Sequence, residues 1–130
     1  MIGLHAPELR SCSRFHRLAA DETWHFHAGD PIRLVLLEPG GTHGQLLLGP
    51  DPLAGHLPQF TVPAGTWQAS STVEGGRWSL YGCTCVPAFT PAGYEGGTME
   101  RLLPEWPERE ADIRRFAVEA SETRMPDSIS

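Results

Sequence analysis

The 130-residue chain contains no lysine: its ten basic side chains are all arginines, scattered among sixteen acids for a formal net charge of −6. A nucleic-acid footprint needs clustered cations to neutralise phosphates, so that partner class is excluded. Cysteine is scarce too. Three thiols cannot all pair, and a zinc knuckle would need another cysteine pair beside Cys83-Thr-Cys85. That spacing points both thiols to one face of a strand, as buried, hydrophobe-like residues of a reducing cytoplasm. Also missing is any long hydrophobic run. No window reaches the roughly 18 apolar residues of a membrane span, and the opening "MIGLHAPELRSCSR" lacks the apolar stretch of a signal peptide. The chain is therefore expected to be soluble and cytoplasmic, with no membrane partner. Its length suits one domain, residues 1–130, able to bury a single core without disulfides or a structural metal.

Glycine and proline are plentiful, fourteen and twelve, and they cut the chain into short segments. Apolar runs and alternation between these breaks predict strands over Thr23–Ala28, Ile32–Glu38, Gly44–Leu48, Gln59–Val62, Trp67–Ser71 and Trp78–Val86. The turns "GDP", "EPGG", "GPDP", "PAG" and "EGG" separate them, an antiparallel hairpin rhythm that suits an all-β barrel or sandwich. Residues 1–12 form an N-terminal segment outside this pattern. Towards the end, Leu103, Trp106, Ile113, Phe116 and Ala117 form an apolar stripe at helical spacing, and Pro107 suits a helix start. A C-terminal helix is expected over about 104–120, followed by a disordered stretch, 121–130.

The densest chemistry lies in "FHRLAADETWHFHAGDP", Phe15 to Pro31, with three histidines, two adjacent acids and a tryptophan. Period two sends Glu22, Trp24 and Phe26 to one face of its strand and Thr23, His25 and His27 to the other. The two later histidines are thus expected to point outward, away from Glu22. The same parity places Ser70 beside Gln68 and turns Trp67 away as a packing residue.

Glu22 is followed after six residues by Gly29, and Pro63-Ala-Gly65 is followed after two residues by Gln68. These fragments resemble the first and second motifs of the cupin superfamily. "SRFHRLAADETWHFHAGDPIRLVLL", "PQFTVPAGTWQAS", "WSLYGCTCVPAF" and "LPEWPEREADIRRF" are similar to the cupin-5 (DUF985) family, from about Ser13 to Phe116. The resemblance implies an all-β double-stranded β-helix, or jelly-roll, barrel with a C-terminal helix, a small-molecule pocket inside, and a homodimer. Members usually carry further strands before the "FHR" segment, so the barrel is expected to be short at one edge, with a second copy covering it.

The first motif also implies inward ligands at His16, at the position of Leu18, and at Glu22; the second implies a histidine where Gln68 stands. Only His16 and Glu22 are strong donors, because an amide oxygen is a weak ligand and a leucine is none. A metal-free pocket is the favoured expectation. A divalent ion held by His16, Glu22 and Gln68 is the alternative.

An imidazole and a carboxylate facing one cavity suit proton abstraction and return, as in an isomerase, epimerase, tautomerase or cyclase acting on a carbonyl-bearing or natural-product-like molecule. In that reading His16, Glu22 and Gln68 are the catalytic candidates. Trp24, Phe26, Phe60, Ser70 and Tyr81 would bind the substrate. The alternatives are a non-catalytic barrel binding a sugar or small metabolite, and a metal-dependent cupin enzyme.

Overall fold

The structure is a computed structural model and describes residues 1–126. Nine strands, β1 (Ile2–His5), β2 (Ser13–Leu18), β3 (Asp21–Gly29), β4 (Ile32–Leu37), β5 (His43–Leu48), β6 (Gln59–Val62), β7 (Trp67–Thr72), β8 (Ser79–Val86) and β9 (Tyr94–Gly96), precede two short helices, α1 (Met99–Leu102) and α2 (Glu110–Phe116). They pair antiparallel into two sheets, one in the order β1-β8-β3-β6 and one in the order β5-β4-β7-β2-β9. Two facing antiparallel sheets with a short C-terminal helix form the expected jelly roll.

The molecule has three layers, and the burial pattern of β4 shows why. Its sequence, Ile-Arg-Leu-Val-Leu-Leu, is apolar on both faces. Ile32, Leu34 and Leu36 pack between the sheets with Trp24, Leu48, Val62, Tyr81 and Cys83. Val35 and Leu37 face the other way, joining Phe15, Trp67, Ala69, Leu102, Trp106, Ile113 and Phe116 under the helices. A strand buried on both sides cannot alternate polar and apolar, so it reads as a continuous hydrophobic run. Strand β7 is likewise buried throughout, but its inward face is polar, with Gln68, Ser70 and Thr72.

Gly29 closes the turn into β4 with a φ of 91°, and a side chain there would run into the Trp78 carbonyl. The Asp30 carboxylate accepts the Arg77 amide at 2.7 Å and holds the far side of the turn. Only glycine fits this crossing.

Three expectations change. The N-terminal segment is not outside the barrel: Ile2–His5 forms β1 and pairs with β8 over Ile2–Gly82 to His5–Ser79. The C-terminal helix is shorter than 104–120. Pro104 and Pro107 lack the N–H a helix interior needs, and Trp106, before Pro107, takes φ −128° and ψ 58°. The chain therefore makes α1, capped by the Thr98 hydroxyl, then a 3-10 turn at Pro107–Arg109, then α2. The stretch expected to be disordered from 121 begins within a 3-10 turn, Ala120–Glu122, closed by a reciprocal capping box between Glu119 and Glu122. Residues 127–130 of that expectation lie outside the described residues. No helix among the described residues is long and apolar enough to cross a membrane.

Candidate functional site

A cavity of about 830 Å³ opens beside β2, β3 and β8 and is closed on one side by β9 and the segment from Val118 to Met125. Its size falls in the range of small-molecule sites. A smaller cleft of about 190 Å³ shares Leu18, Ala88 and Phe89 with it but has no ionisable lining residue. Of these two, only the larger has ionisable side chains on its wall.

His16 and Glu22 face each other on its wall. Strand β2 sets His16 opposite Gln68 on one side and Gly96 on the other. Strand β3 sets Glu22 between Val62 and Cys85. His16 Nε2 and Glu22 Oε1 are 3.8 Å apart, with the two side chains only 13% and 9% exposed. His16 Nδ1 lies 2.8 Å from the Arg14 carbonyl oxygen. A carbonyl can only accept, so Nδ1 carries a proton and Nε2 is the nitrogen that gains or loses one. The ring is also stacked on Tyr94, with centroids 5.6 Å apart and planes 16° apart. Glu22 Oε2 accepts a long bond from the Cys85 thiol at 3.7 Å. Glu22 Oε1 is buried and has no hydrogen-bond partner.

The groups around the pair are held neutral. Burial pushes the Cys83 and Cys85 thiols up, and the charge of Glu22 adds to it. Burial likewise raises the Tyr81 and Tyr94 phenols. At neutral pH these side chains present thiols and phenols rather than anions.

The other sequence candidates are distributed differently. Tyr81 lines the cavity. Gln68, 1% exposed, does not: its Oε1 accepts the Trp24 indole N–H at 2.7 Å. Ser70 is fully buried and bonds His5 Nε2 at 2.8 Å. Trp24, Phe26 and Phe60 belong to the inter-sheet core, with Trp24 stacked on Tyr81 at 4.9 Å. Strand parity holds for the outer histidines. His25 bonds Thr84 across the strand, and His27 is exposed. Sequence reasoning passed over Cys12, Cys83, Cys85, Phe89 and Tyr94, all of which line the wall. The signal for three of the wall residues was present: Tyr81, Cys83 and Cys85 alternate along β8 and so share one face.

Two antiparallel sheets enclosing a cavity with a histidine and a glutamate on its wall define a small jelly-roll barrel of the cupin class. The chain belongs to the family described as Cupin superfamily (DUF985), whose model matches residues 5–96. It is similar to the solved structure of a hypothetical protein from Leishmania major, at 34% identity and a TM-score of 0.80, covering 91% of this chain and 74% of that one. It is also similar to a crystal structure of a protein from Shewanella oneidensis, at 38% identity and a TM-score of 0.76, covering 82% and 67%. A comparison with curated proteins gives no match.

The family motifs would place metal ligands at His16, Glu22 and the positions of Leu18 and Gln68. These residues do not fit a metal. Leu18 offers no donor, and the Gln68 oxygen is already taken by Trp24. Among the described residues no group of three or more His, Cys, Asp or Glu side chains is placed to hold a metal ion.

Proposed function

We propose that this cavity binds a small organic molecule and that His16 and Glu22 move a proton on it without a metal, as in an isomerase or cyclase. The observation that carries the reading is Glu22 Oε1, buried without a partner and 3.8 Å from His16 Nε2 on the cavity wall. A buried carboxylate oxygen costs free energy unless something donates to it, and a bound ligand's acidic hydrogen or hydroxyl would supply that donor. Once a C–H next to a carbonyl lies against the pair, the pair takes the proton and returns the same proton to another position on that face. The Arg14 carbonyl and the Tyr94 ring keep the imidazole in the required tautomer and plane.

Deuterium exchange tests this without knowledge of the product. The protein would be incubated in D₂O with 1-tetralone, 2-oxobutanoate and D-fructose, and exchange next to each carbonyl followed by NMR. At least one compound should exchange faster than in buffer. His16→Gln and Glu22→Gln should each slow it by about 10²-fold or more. Exchange that survives both substitutions would remove the acid–base role.

The second reading, a non-catalytic barrel that retains a sugar or small metabolite, is supported by the same cavity volume. Ligand retained in native mass spectrometry with no exchange on any compound would favour it. A homodimer is proposed as well: β1 ends its sheet, and Ile2 and Leu4 are exposed on it. Native mass spectrometry reports the subunit count directly, and a monomer at micromolar concentration would refute it. The three free thiols accord with a reducing, cytoplasmic setting.

A further inference from the structure

Sulfur is unevenly placed in this molecule. The chain has three cysteines and three methionines, and five of the six, Met1, Cys12, Cys83, Cys85 and Met125, line the one cavity. Met99 alone lies elsewhere, packed against the core beneath the helices. Five residues from four separate parts of the chain thus bring soft, polarisable atoms to one wall. Sulfur makes its best side-chain contacts with aromatic rings, often at the ring edge. Tyr81, Phe89 and Tyr94 supply ring surfaces on the same wall.

The polar groups there are fewer and largely engaged. The Thr84 hydroxyl bonds His25, the Cys85 thiol points to Glu22, and one Arg14 nitrogen donates to the Ala117 carbonyl. A sugar, with a hydroxyl on nearly every carbon, would need many fixed donors and acceptors. Ser13, Arg14, Glu122 and the Tyr81 and Tyr94 hydroxyls also line this wall, Arg14 and Glu122 on its exposed margin, and its sheltered ionisable corner is His16 Nε2 with Glu22 Oε1. The raised thiols remain uncharged and so neither repel an electron-rich ring nor act as ready nucleophiles.

We propose that the cavity takes a flat, conjugated carbonyl compound, with its rings against the sulfur-bearing and aromatic wall and its carbonyl or enol at His16 and Glu22. This rests on the acid–base reading above for the orientation of the ligand, but not for its class.

Two probes test the class: 4-hydroxycoumarin, a flat conjugated enol, and methyl β-D-glucopyranoside, each titrated by calorimetry. The coumarin should bind saturably, and the glucoside should not over the same concentrations. Met125→Ala and Phe89→Ala, which change lining side chains that are at least partly solvent-exposed, should each weaken coumarin binding about fivefold. Val86→Ala, exposed on β8 and off the wall, should leave it unchanged. Glucoside binding tighter than coumarin, no coumarin binding, or coumarin binding indifferent to both lining substitutions would each overturn the proposed class. The outcomes separate from those of the acid–base test. Coumarin binding without carbonyl exchange on any compound leaves the ligand class standing and the chemistry refuted, whereas exchange confined to D-fructose does the reverse.

Discussion

His5 is a buried imidazole that folding keeps neutral. It is 2% exposed, its Nε2 pairs with Ser70, its Nδ1 is without a partner, and its ring lies on Tyr81 with centroids 4.6 Å apart. Burial outweighs the opposing effect of the Leu4 backbone beside it and lowers its pKa from 6.5 to about 4. The unfolded chain therefore binds a proton that the folded chain refuses between those two values. Stability from this group is fully present above pH 6.5 and is lost progressively as pH falls towards about 4, on the order of 3 kcal/mol in all. Urea unfolding at pH 7.5 and 4.5 should show the midpoint falling, with His5→Gln much flatter over that window. A parallel slope in both proteins would assign the loss to other groups. Gln68 poses a different question at the same scale, because the second cupin motif aligns it with a ligand histidine while its oxygen holds the Trp24 indole. Gln68→Met should leave that buried N–H unpaired and cost about 1–3 kcal/mol of stability, with coumarin affinity little changed because Gln68 is off the wall. A large affinity loss in a fully folded Gln68→Met protein would return Gln68 to the site. Sequence alone could place His16 and Glu22 by motif spacing and Tyr81 by its aromatic character. It could not show that a neighbouring indole occupies the Gln68 oxygen, since that contact joins residues 44 apart.

At the scale of elements, legibility followed the turns. Gln59–Val62 was predicted to the residue, and the other five predicted strands were placed within about two residues at each end, because glycine and proline bracket them. The missed strands have physical reasons. β9 is only three residues long, β1 is an edge strand with a glycine, and β2 mixes arginine, histidine and apolar residues because its two faces meet different layers. The helical stripe was read correctly as a burial pattern, since Trp106, Ile113 and Phe116 are all buried. Pro107 was expected to start the helix, but with Pro104 it instead divides the stripe between α1 and α2. The short α2 that results, seven residues, is too brief to be stable alone and depends on its neighbours. One tie is ionic: Arg33 of β4 grips both Asp112 carboxylate oxygens at 2.8 Å, and Arg109 reaches one at 3.2 Å. Burial by itself would push Asp112 up, yet the two guanidiniums hold it below its ordinary value of 3.8. The sign is the reverse of that for His5. The contribution is present above pH 3.8 and is lost as pH falls below it through the lower folded value. Asp112→Ala should remove about 2 kcal/mol at neutral pH, because two partly buried arginines lose their acceptor. Denaturant midpoints measure it, and a change below about 0.5 kcal/mol would mean that the network is only a surface decoration.

For the whole molecule, the three layers assign separate duties to the two ends of the C-terminal region. Leu102, Trp106, Ile113 and Phe116 cover Phe15, Val35, Leu37 and Trp67 of the five-stranded sheet, and all are at most 2% exposed. Burying a large apolar side chain is worth about 2 kcal/mol, so these four contribute about 8 kcal/mol, comparable with the entire stability of an ordinary domain. A chain ending at Thr98 should therefore fail to fold and should aggregate through the uncovered sheet. Residues 118–126 behave differently. Their ties to the body are few, chiefly the Val118 amide to the Gly97 carbonyl and the Gly96 amide to the Thr123 carbonyl, both at 2.9 Å. Yet Val118, Glu122 and Met125 form part of the cavity wall. A chain ending at Ala117 should keep the helix layer and melt within a few degrees of the full protein, since it loses little buried apolar surface. Its cavity would be open on that side, so coumarin should dissociate faster and bind at least about fivefold more weakly. Far-UV circular dichroism, thermal melts and calorimetric titration of the two truncations separate the roles. If the chain ending at Ala117 unfolds, the tail is part of the core after all. If it folds and binds the coumarin as tightly as the full chain, the tail is no part of the binding wall, and the ligand must sit wholly against β2, β3 and β8.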